Sequence, residues 1–585
     1  VTVPDRPDAT GRPDASIALQ VDSLRIRHQD RAAWTPDGVT FSVAPGEVVL
    51  LLGPSGSGKS TLTLALDGLI PHVVTARMEG GVRVGGLDTA EHSVAELSER
   101  VALVFQDPDA QIVTGSVLDE VCFAAENRLL PVPEVLARAE EALRRVGLWE
   151  RRDEDPDVLS GGGKQRLAIA AALASSTDVL VLDEPTANLD AAGVEDVYAA
   201  LRDVVADGSR SVVLVEHDLD AAVPLVDRVV VIDGSGASVL EGTPTAVLAD
   251  RAEELSRMGV WLPTATTAAL RIQRAGVAFD ALPLTAAELT AALDARDALP
   301  ALPHGTASSP AASGTAIGVR SLSLTRGRGR RRRPVLHDID LTIGVGEFVA
   351  IVGTNGAGKT TLVQAIAGLV RPPHGTVTVG GLDPATASAT AVAERVGFVF
   401  QNPEHQFVTH SVADELAYGP RSTGADEAIV SARVDDLLER FGLSDARDVN
   451  PFLLSGGQKR RLSVGTAIIG GADILILDEP TFGQDRARAD ELVALLRELN
   501  ASGTTVVVVT HDLQLVAEAS SSVVVLDDGR LLAHAPTDVV LSDGPLLERA
   551  GLRRPALAQA MRPLVRHPAW RGITRLAQLP GGEIE

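Results

Sequence analysis

The chain has 585 residues, 45% of them hydrophobic, and a formal net charge of -25. That length predicts several domains with well-buried cores, and the acidity argues against general affinity for DNA or RNA, whose binding rests on neutralising phosphates. Cys122 is the only cysteine, which excludes an intrachain disulfide and suits a reducing compartment.

In chain order, residues 1–16 are rich in Pro, Asp and Thr and read as a disordered leader without the basic and apolar regions of a secretion signal. A first domain is predicted over 17–250, an α/β unit in which short apolar runs alternate with segments of helical period. Val48 to Leu52 is its strand before the glycine-rich run Gly53, Pro54, Ser55, Gly56, Ser57, Gly58, Lys59, Ser60, Thr61, and a helix begins near Lys59. Val179 to Leu182 and Ser211 to Val215 are further buried strands. Residues 251–298 read as a helical appendage to this domain, and 299–316, rich in Pro, Ala and Ser, as a linker. A second domain spans 317–550, with Gly353, Thr354, Asn355, Gly356, Ala357, Gly358, Lys359, Thr360 and Thr361 in its glycine-rich run, and a basic tail follows over 551–585. No apolar run approaches the ~18–20 residues that span a bilayer, so a membrane role requires partners.

The halves are copies of one pattern. Lys59 and Lys359 stand 300 residues apart, Glu184 and Glu479 stand 295 apart, and His217 and His511 stand 294 apart. Only four lysines occur, Lys59, Lys164, Lys359 and Lys459, all inside this repeated pattern, while arginine serves elsewhere. A slim ammonium threads a tight loop where a forked guanidinium does not.

GPSGSGKS and GTNGAGKT fit the phosphate loop GxxxxGK[ST]: backbone N–H groups converge on a phosphate, the helix N-terminus favours its charge, and the Lys reaches the terminal oxygens. The Ser60 and Thr360 hydroxyls are placed to hold Mg²⁺. Asp183-Glu184 and Asp478-Glu479 put adjacent carboxylates at the C-terminal edge of a buried strand, where α/β folds place ligands. The first carboxylate supports the metal shell, and the second orients an attacking water.

Between loop and carboxylates lie LSGGGKQR, with Ser160, Gly161 and Gly162, and LSGGQKRR, with Ser455, Gly456, Gly457 and Gln458. With Gln106 and Gln401 after one strand and His217 and His511 after another, these resemble the ATP-binding-cassette family over nearly the whole chain, twice. The resemblance implies two P-loop ATPase domains, each a mostly parallel sheet with flanking helices and a helical signature subdomain. It implies head-to-tail pairing, with ATP between one domain's phosphate loop and the other's signature. One composite site would use Lys59, Ser60, Gln106, Asp183, Glu184 and His217 against Ser455, Gly456 and Gly457. The other would use Lys359, Thr360, Gln401, Asp478, Glu479 and His511 against Ser160, Gly161 and Gly162. ATP and Mg²⁺ are the implied ligands, with Gln106 and Gln401 joining the metal shell, and both sites are expected to hydrolyse ATP.

The first copy departs from the family at Gly163, which stands where the second has Gln458, predicting a weakened second composite site. The segments ANLD (187–190) and FGQD (482–485) also differ. Neither half has the usual adenine-stacking Tyr; His28 or Trp34 is the candidate in the first and Arg326 in the second. The basic run Arg326 to Arg333 reads either as a solvated loop, which is favoured, or as a contact for anionic lipid or an acidic partner.

QDPDAQIV with SVLDEV, and QNPEHQFV with SVADELAYGP, resemble the energy-coupling-factor subgroup. There, two ATPase domains at the cytoplasmic membrane face drive a transmembrane coupling protein that serves a small substrate-binding membrane protein. The implied cargo is a vitamin, a thiamine precursor or a transition-metal ion. The alternatives are a fused sugar-type importer ATPase and a soluble ribosome- or nucleic-acid-associated tandem ATPase; the Pro/Ala/Ser-rich linker and the EHDL and THDL segments count against the last.

Overall fold

A computed structural model describes residues 17–29, 33–187, 189, 191–206, 208, 210–303, 314–327, 333–481 and 486–582. The leader, most of the linker, Arg328–Arg332 of the basic run, Asn188, Asp190 and residues 482–485 lie outside the described residues. The chain divides into two units, Val1–Thr186 with Gly193–Pro263, and Ala187–Ala192 with Thr264–Glu585.

The first unit contains β1 (Leu19–His28), β2 (Asp37–Val43), β3 (Val48–Leu52), β4 (Ala76–Val84), β5 (Leu87–Asp88), β6 (Val101–Val104), β7 (Val179–Asp183), β8 (Ser211–Val215), β9 (Arg228–Ile232) and β10 (Ser238–Gly242). A six-stranded sheet has the order β10-β9-β3-β8-β7-β6, parallel from β9 to β6 with β10 antiparallel at its edge. A second, antiparallel sheet has the order β2-β1-β4-β5.

The second unit contains β11 (Thr315–Arg326), β12 (Arg333–Gly344), β13 (Phe348–Val352), β14 (Val377–Val379), β15 (Val396–Val399), β16 (Ile474–Asp478), β17 (Thr505–Val509), β18 (Ser522–Asp527) and β19 (Arg530–Pro536). Its large sheet, β15-β16-β17-β13-β18-β19, repeats the order of the first unit, and β12-β11-β14 form the smaller one.

All five residues of β3, β7, β8, β13, β16 and β17 are buried. Continuous apolar runs are what a parallel strand covered on both faces requires. Side chains alternate along the strand: Val349 and Ile351 pack with Leu362 and Ile366 of the helix Lys359–Ile366, whereas Ala350 and Val352 pack with Val516 and Leu541. Burying each such Val, Leu or Ile contributes roughly 1.5–3 kcal/mol. In the first unit Val49 and Leu51 meet Leu62 and Leu66 of the helix Lys59–Leu66, beneath Leu19, Ile26 and Val82 of the antiparallel sheet.

The segment 251–298 divides differently from its sequence reading. The helix Ala252–Arg257 lies in the first unit, but Thr264–Arg274 and Ala286–Asp294 lie in the second. Their apolar faces, including Ala268, Ile272, Leu289 and Leu293, are covered by Leu557, Met561, Trp570 and Ile573 of the tail. Thr290 Oγ1 donates to Ala560 O at 2.7 Å, and Asp294 accepts the N–H groups of Val565 and Arg566. Appendage and tail thus form one small helical cluster, because neither has enough apolar surface to close a core alone.

Candidate functional site

Each glycine-rich run links a central strand to a helix, as the sequence predicts. Gly58 and Gly358 precede these helices with φ of 96° and 95°, a left-handed conformation that glycine adopts at little cost. A Cβ on Gly58 would also lie 2.6 Å from the Pro36 nitrogen. Lys59 Nζ donates to Gly53 O at 2.8 Å and Pro54 O at 3.1 Å, and Lys359 repeats this with Gly353 O at 2.8 Å and Thr354 O at 3.0 Å. Both ammonium groups are therefore drawn into the curl of their own loops.

The carboxylate pairs stand at the ends of β7 and β16, beside these loops. In the first unit Thr63 Oγ1 donates to Asp183 Oδ2 at 3.1 Å; in the second Thr360 Oγ1 donates to Asp478 Oδ1 at 3.3 Å. Glu184 and Glu479 both have φ of 48°, uncommon for a residue with a side chain, and their N–H groups are tied to Val215 O and Val509 O at 2.8 Å. Backbone strain of this kind gathers at functional sites, and here it turns the second carboxylate of each pair away from the strand's alternation.

Glu184 is met from two sides. Gln106 Nε2 donates to Oε2 at 2.6 Å, and His217 Nε2 lies 2.9 Å from Oε1. In the second unit His511 Nδ1 lies 3.0 Å from Glu479 Oε2. Burial raises the Asp183 carboxyl above its ordinary value, and the adjacent Glu184 charge adds to the rise. Burial presses Glu184 the same way, but the hydrogen bond and charge of His217, with the Lys59 charge, prevail and hold it below its usual range. For His511 burial opposes protonation, and the charge of Glu479 overcomes it, raising the imidazole.

A cavity of about 320 Å³ opens on the second loop, lined by Arg326, Val335, Asn355–Thr361, Gln401, Glu479 and His511. It gathers many of the sequence-predicted residues of this unit, though not Asp478, and includes Arg326, whose guanidinium also bonds Gln364. No residue of 455–458 lines it. The signature serines cap helices instead: Ser160 accepts from Gly163 N at 3.2 Å, and Ser455 and Gln458 form a reciprocal cap. In the first unit His28 Nε2 lies 3.2 Å from Thr61 Oγ1, while the Trp34 ring is approached by the guanidiniums of Arg25, Arg27 and Arg77.

The donors suit a small hard cation. Asp183 and Asp478, with Ser60 and Thr360, offer carboxylate and hydroxyl oxygens, and Asp183 Oδ1 is buried without a hydrogen bond of good geometry. Among the described residues no three of His, Cys, Asp or Glu gather into a cage, so a cation held by these donors would draw its remaining oxygens from phosphate and water.

Several contributors escaped sequence reading. Thr63 stands one turn beyond Ser60 on the helix face toward Asp183, a spacing that could have marked it. Lys164 pairs with Asp109, and Lys459 with Glu404 at 2.5 Å, so these two lysines tie each signature helix to the segment after the glutamine. Arg460, buried, donates to Phe400 O and Gln401 O at 2.8 and 2.7 Å, and burial lowers its guanidinium to about 10. Gln165 holds the corresponding place in the first unit.

The ABC transporter family model matches residues 36–187 and 336–482, so that both phosphate loops and both carboxylate pairs fall within it. The chain belongs to the ABC transporter family. It is an α/β protein with two tandem ABC domains that binds and hydrolyses ATP. YkoD of Bacillus subtilis, named as an HMP/thiamine import ATP-binding protein, is 33% identical over 500 residues, 85% of this chain and 88% of that protein. An ABC transporter ATP-binding protein of Streptomyces avermitilis is 37% identical over 515 residues, covering 86% and 90%. Among solved structures, cbiO1 of Clostridium perfringens, part of the ABC transporter complex cbiONQ, is 29% identical with a TM-score of 0.37, covering 41% of this chain and 96% of its own. Among the described residues no helix of this ABC protein is long and apolar enough to cross a membrane.

Proposed function

We propose that this ABC ATPase powers an importer of the energy-coupling-factor type at the cytoplasmic face of the cell membrane. It drives a transmembrane coupling protein that serves a small substrate-binding membrane protein, and its cargo is a vitamin, a vitamin precursor or a transition-metal ion. The observation that carries this reading is a repeated apolar exposure around the glutamine segments. Val113, Phe123 and Val158 of the first unit, and Val408, Tyr418 and Leu453 at corresponding positions of the second, are all exposed. Apolar side chains left open at matching places in two copies support a covering partner protein in this reading. The similarity to YkoD, named for HMP/thiamine import, supports the cargo class.

In this reading Glu184 and Glu479 are the bases. Each carboxylate orients a water and takes its proton as the water oxygen attacks the γ-phosphorus, and the bond from that phosphorus to the β,γ-bridging oxygen breaks to leave ADP and phosphate. His217 and His511 fix the carboxylates and respond to the terminal phosphate. Lys59 and Lys359 leave their loop carbonyls for phosphate oxygens. Asp183 with Ser60, and Asp478 with Thr360, would hold Mg²⁺, joined by the side-chain oxygens of Gln106 and Gln401. The cation, when bound, neutralises phosphate charge.

The test is to purify the full chain from membranes with its attached proteins and follow ATP turnover. Small hydrophobic membrane proteins should copurify, and Glu184→Gln with Glu479→Gln should lower turnover by at least about 100-fold while ATP still binds. Turnover that survives both changes refutes the base assignment; recovery of a sugar-binding component in place of the small membrane proteins refutes the importer type.

A further inference from the structure

The two copies hold their switch histidines differently. Immediately before His217 lies Glu216, only 3% exposed. Its Oε2 accepts the His217 N–H at 2.7 Å, and its Oε1 accepts the Tyr198 hydroxyl at 3.3 Å and the Thr186 hydroxyl. One carboxyl therefore joins three elements: the segment after Glu184, the helix Ala191–Val205 and the turn carrying His217. On the other side, the Trp261 ring lies 6.1 Å from the His217 ring, tilted by 47°, inside the range of direct aromatic contact. Trp261 comes from the segment that leaves the first ABC domain.

The second copy keeps the threonine, as Thr481, but not the other three groups. Thr510 replaces Glu216, Val493 replaces Tyr198, and in the matching runs GVWLP and GLRRP, Arg553 replaces Trp261. The carboxyl and the tyrosine hydroxyl that donates to it have changed together, leaving a smaller, neutral arrangement in which Thr510 Oγ1 accepts the Asp512 N–H at 3.1 Å. The imidazoles also differ: His217 meets its glutamate through Nε2, and His511 through Nδ1.

We propose that Glu216 and Trp261 are positioning residues that clamp His217 in hydrolytic register with Glu184, and that the unclamped His511 makes the two ATP sites unequal in turnover. The contacts described above join the clamp to Thr186, Tyr198 and His217, none of them a phosphate-loop residue or metal donor, so its action is assigned to the hydrolytic step. This inference rests on the roles proposed above for Glu184 and His217.

The experiment isolates the first site in the full chain carrying Glu479→Gln and measures kcat, KM for ATP, nucleotide occupancy and melting temperature. Trp261→Arg and Glu216→Thr, which install the second copy's residues, should each lower kcat about tenfold with KM within about twofold, as expected for a displaced reacting group. Trp261→Phe and Glu216→Gln, which keep a ring and an acceptor, should keep most of the turnover. Conversely, Thr510→Glu with Val493→Tyr and Arg553→Trp should raise the turnover of a chain carrying Glu184→Gln. Unchanged kcat in Trp261→Arg and Glu216→Thr overturns the clamp. So does a loss in which kcat and melting temperature fall while KM rises, equally in the Phe and Gln variants. Adding Glu184→Gln to the Glu479→Gln chain separates the layers: if it abolishes turnover while the clamp variants do nothing, only the clamp fails; if turnover survives it, the base assignment fails.

Discussion

Gly58 shows how narrowly single residues are specified around the phosphate loop. Its left-handed backbone and its approach to Pro36 both exclude a side chain, so Gly58→Ala should destabilise the first unit by more than about 1 kcal/mol and weaken nucleotide binding there. Thermal melting with and without ATP would register both losses. Lys59→Ala should remove ATP binding from one of two loops, and a binding titration should fall from two equivalents to one; two unaltered equivalents would contradict the assignment. Asp67 makes a separate prediction at the end of the loop helix. Burial raises its carboxyl to about 7, against a backbone hydrogen bond from Leu69 that favours the charged form. The folded state then holds a proton that the unfolded chain releases at lower pH, so this contribution is complete below about pH 4 and is lost as pH rises toward 7. Asp67→Asn keeps an acceptor for Leu69 and should flatten that decline, worth on the order of 2–4 kcal/mol, in melting temperatures measured from pH 4 to 8.

At the scale of elements, the signature helices illustrate what a motif conceals. Each is attached to the neighbouring glutamine segment by Lys164 with Asp109 or Lys459 with Glu404. The acidic partners are well exposed, so neither pair contributes much stability. Lys164→Met should accordingly shift stability by under about 1 kcal/mol, while weakening any stimulation of ATP turnover by the membrane partners proposed above; equal stimulation would show the pair to be incidental. The buried strands were legible because four or five consecutive apolar residues leave little other reading: Val48–Leu52 and Ser211–Val215 match the predicted runs, and Val179–Asp183 extends its run by one residue. The phosphate loops and carboxylate pairs were legible because their chemistry fixes residue type and spacing together. Thr63 could have been marked by its helical spacing from Ser60, but Glu216 and Trp261 could not, since each gains its meaning from a partner distant in sequence. The strained backbone at Glu184 and Glu479 leaves no mark on composition at all.

For the whole molecule, duplication explains most of what the sequence discloses, and departures from it hold most of what is particular to this protein. The same strand order recurs in both large sheets, yet Gln165 faces Arg460, Thr63 faces Val363 and Glu216 faces Thr510 across the repeat. Comparing halves of one chain thus does part of the work of comparing relatives. The helical cluster was illegible for a related reason: an apolar stripe on Thr264–Arg274 announces a missing cover without naming it. Removing residues 552–582 should expose Ala268, Leu289 and Leu293, and limited proteolysis should then cut within 264–294 before either ABC domain is attacked. Protection of that segment in the shortened chain would show that it folds without the tail.

The same cluster imposes an order on biosynthesis. Its first two helices leave the ribosome by Asp294, but their cover begins only at Ala556, after an entire ABC domain has been translated. At elongation rates of about 5–20 residues per second the early pair waits roughly tens of seconds with a greasy flank open to water, so the nascent polypeptide passes through a stage in which a chaperone has a defined place to hold.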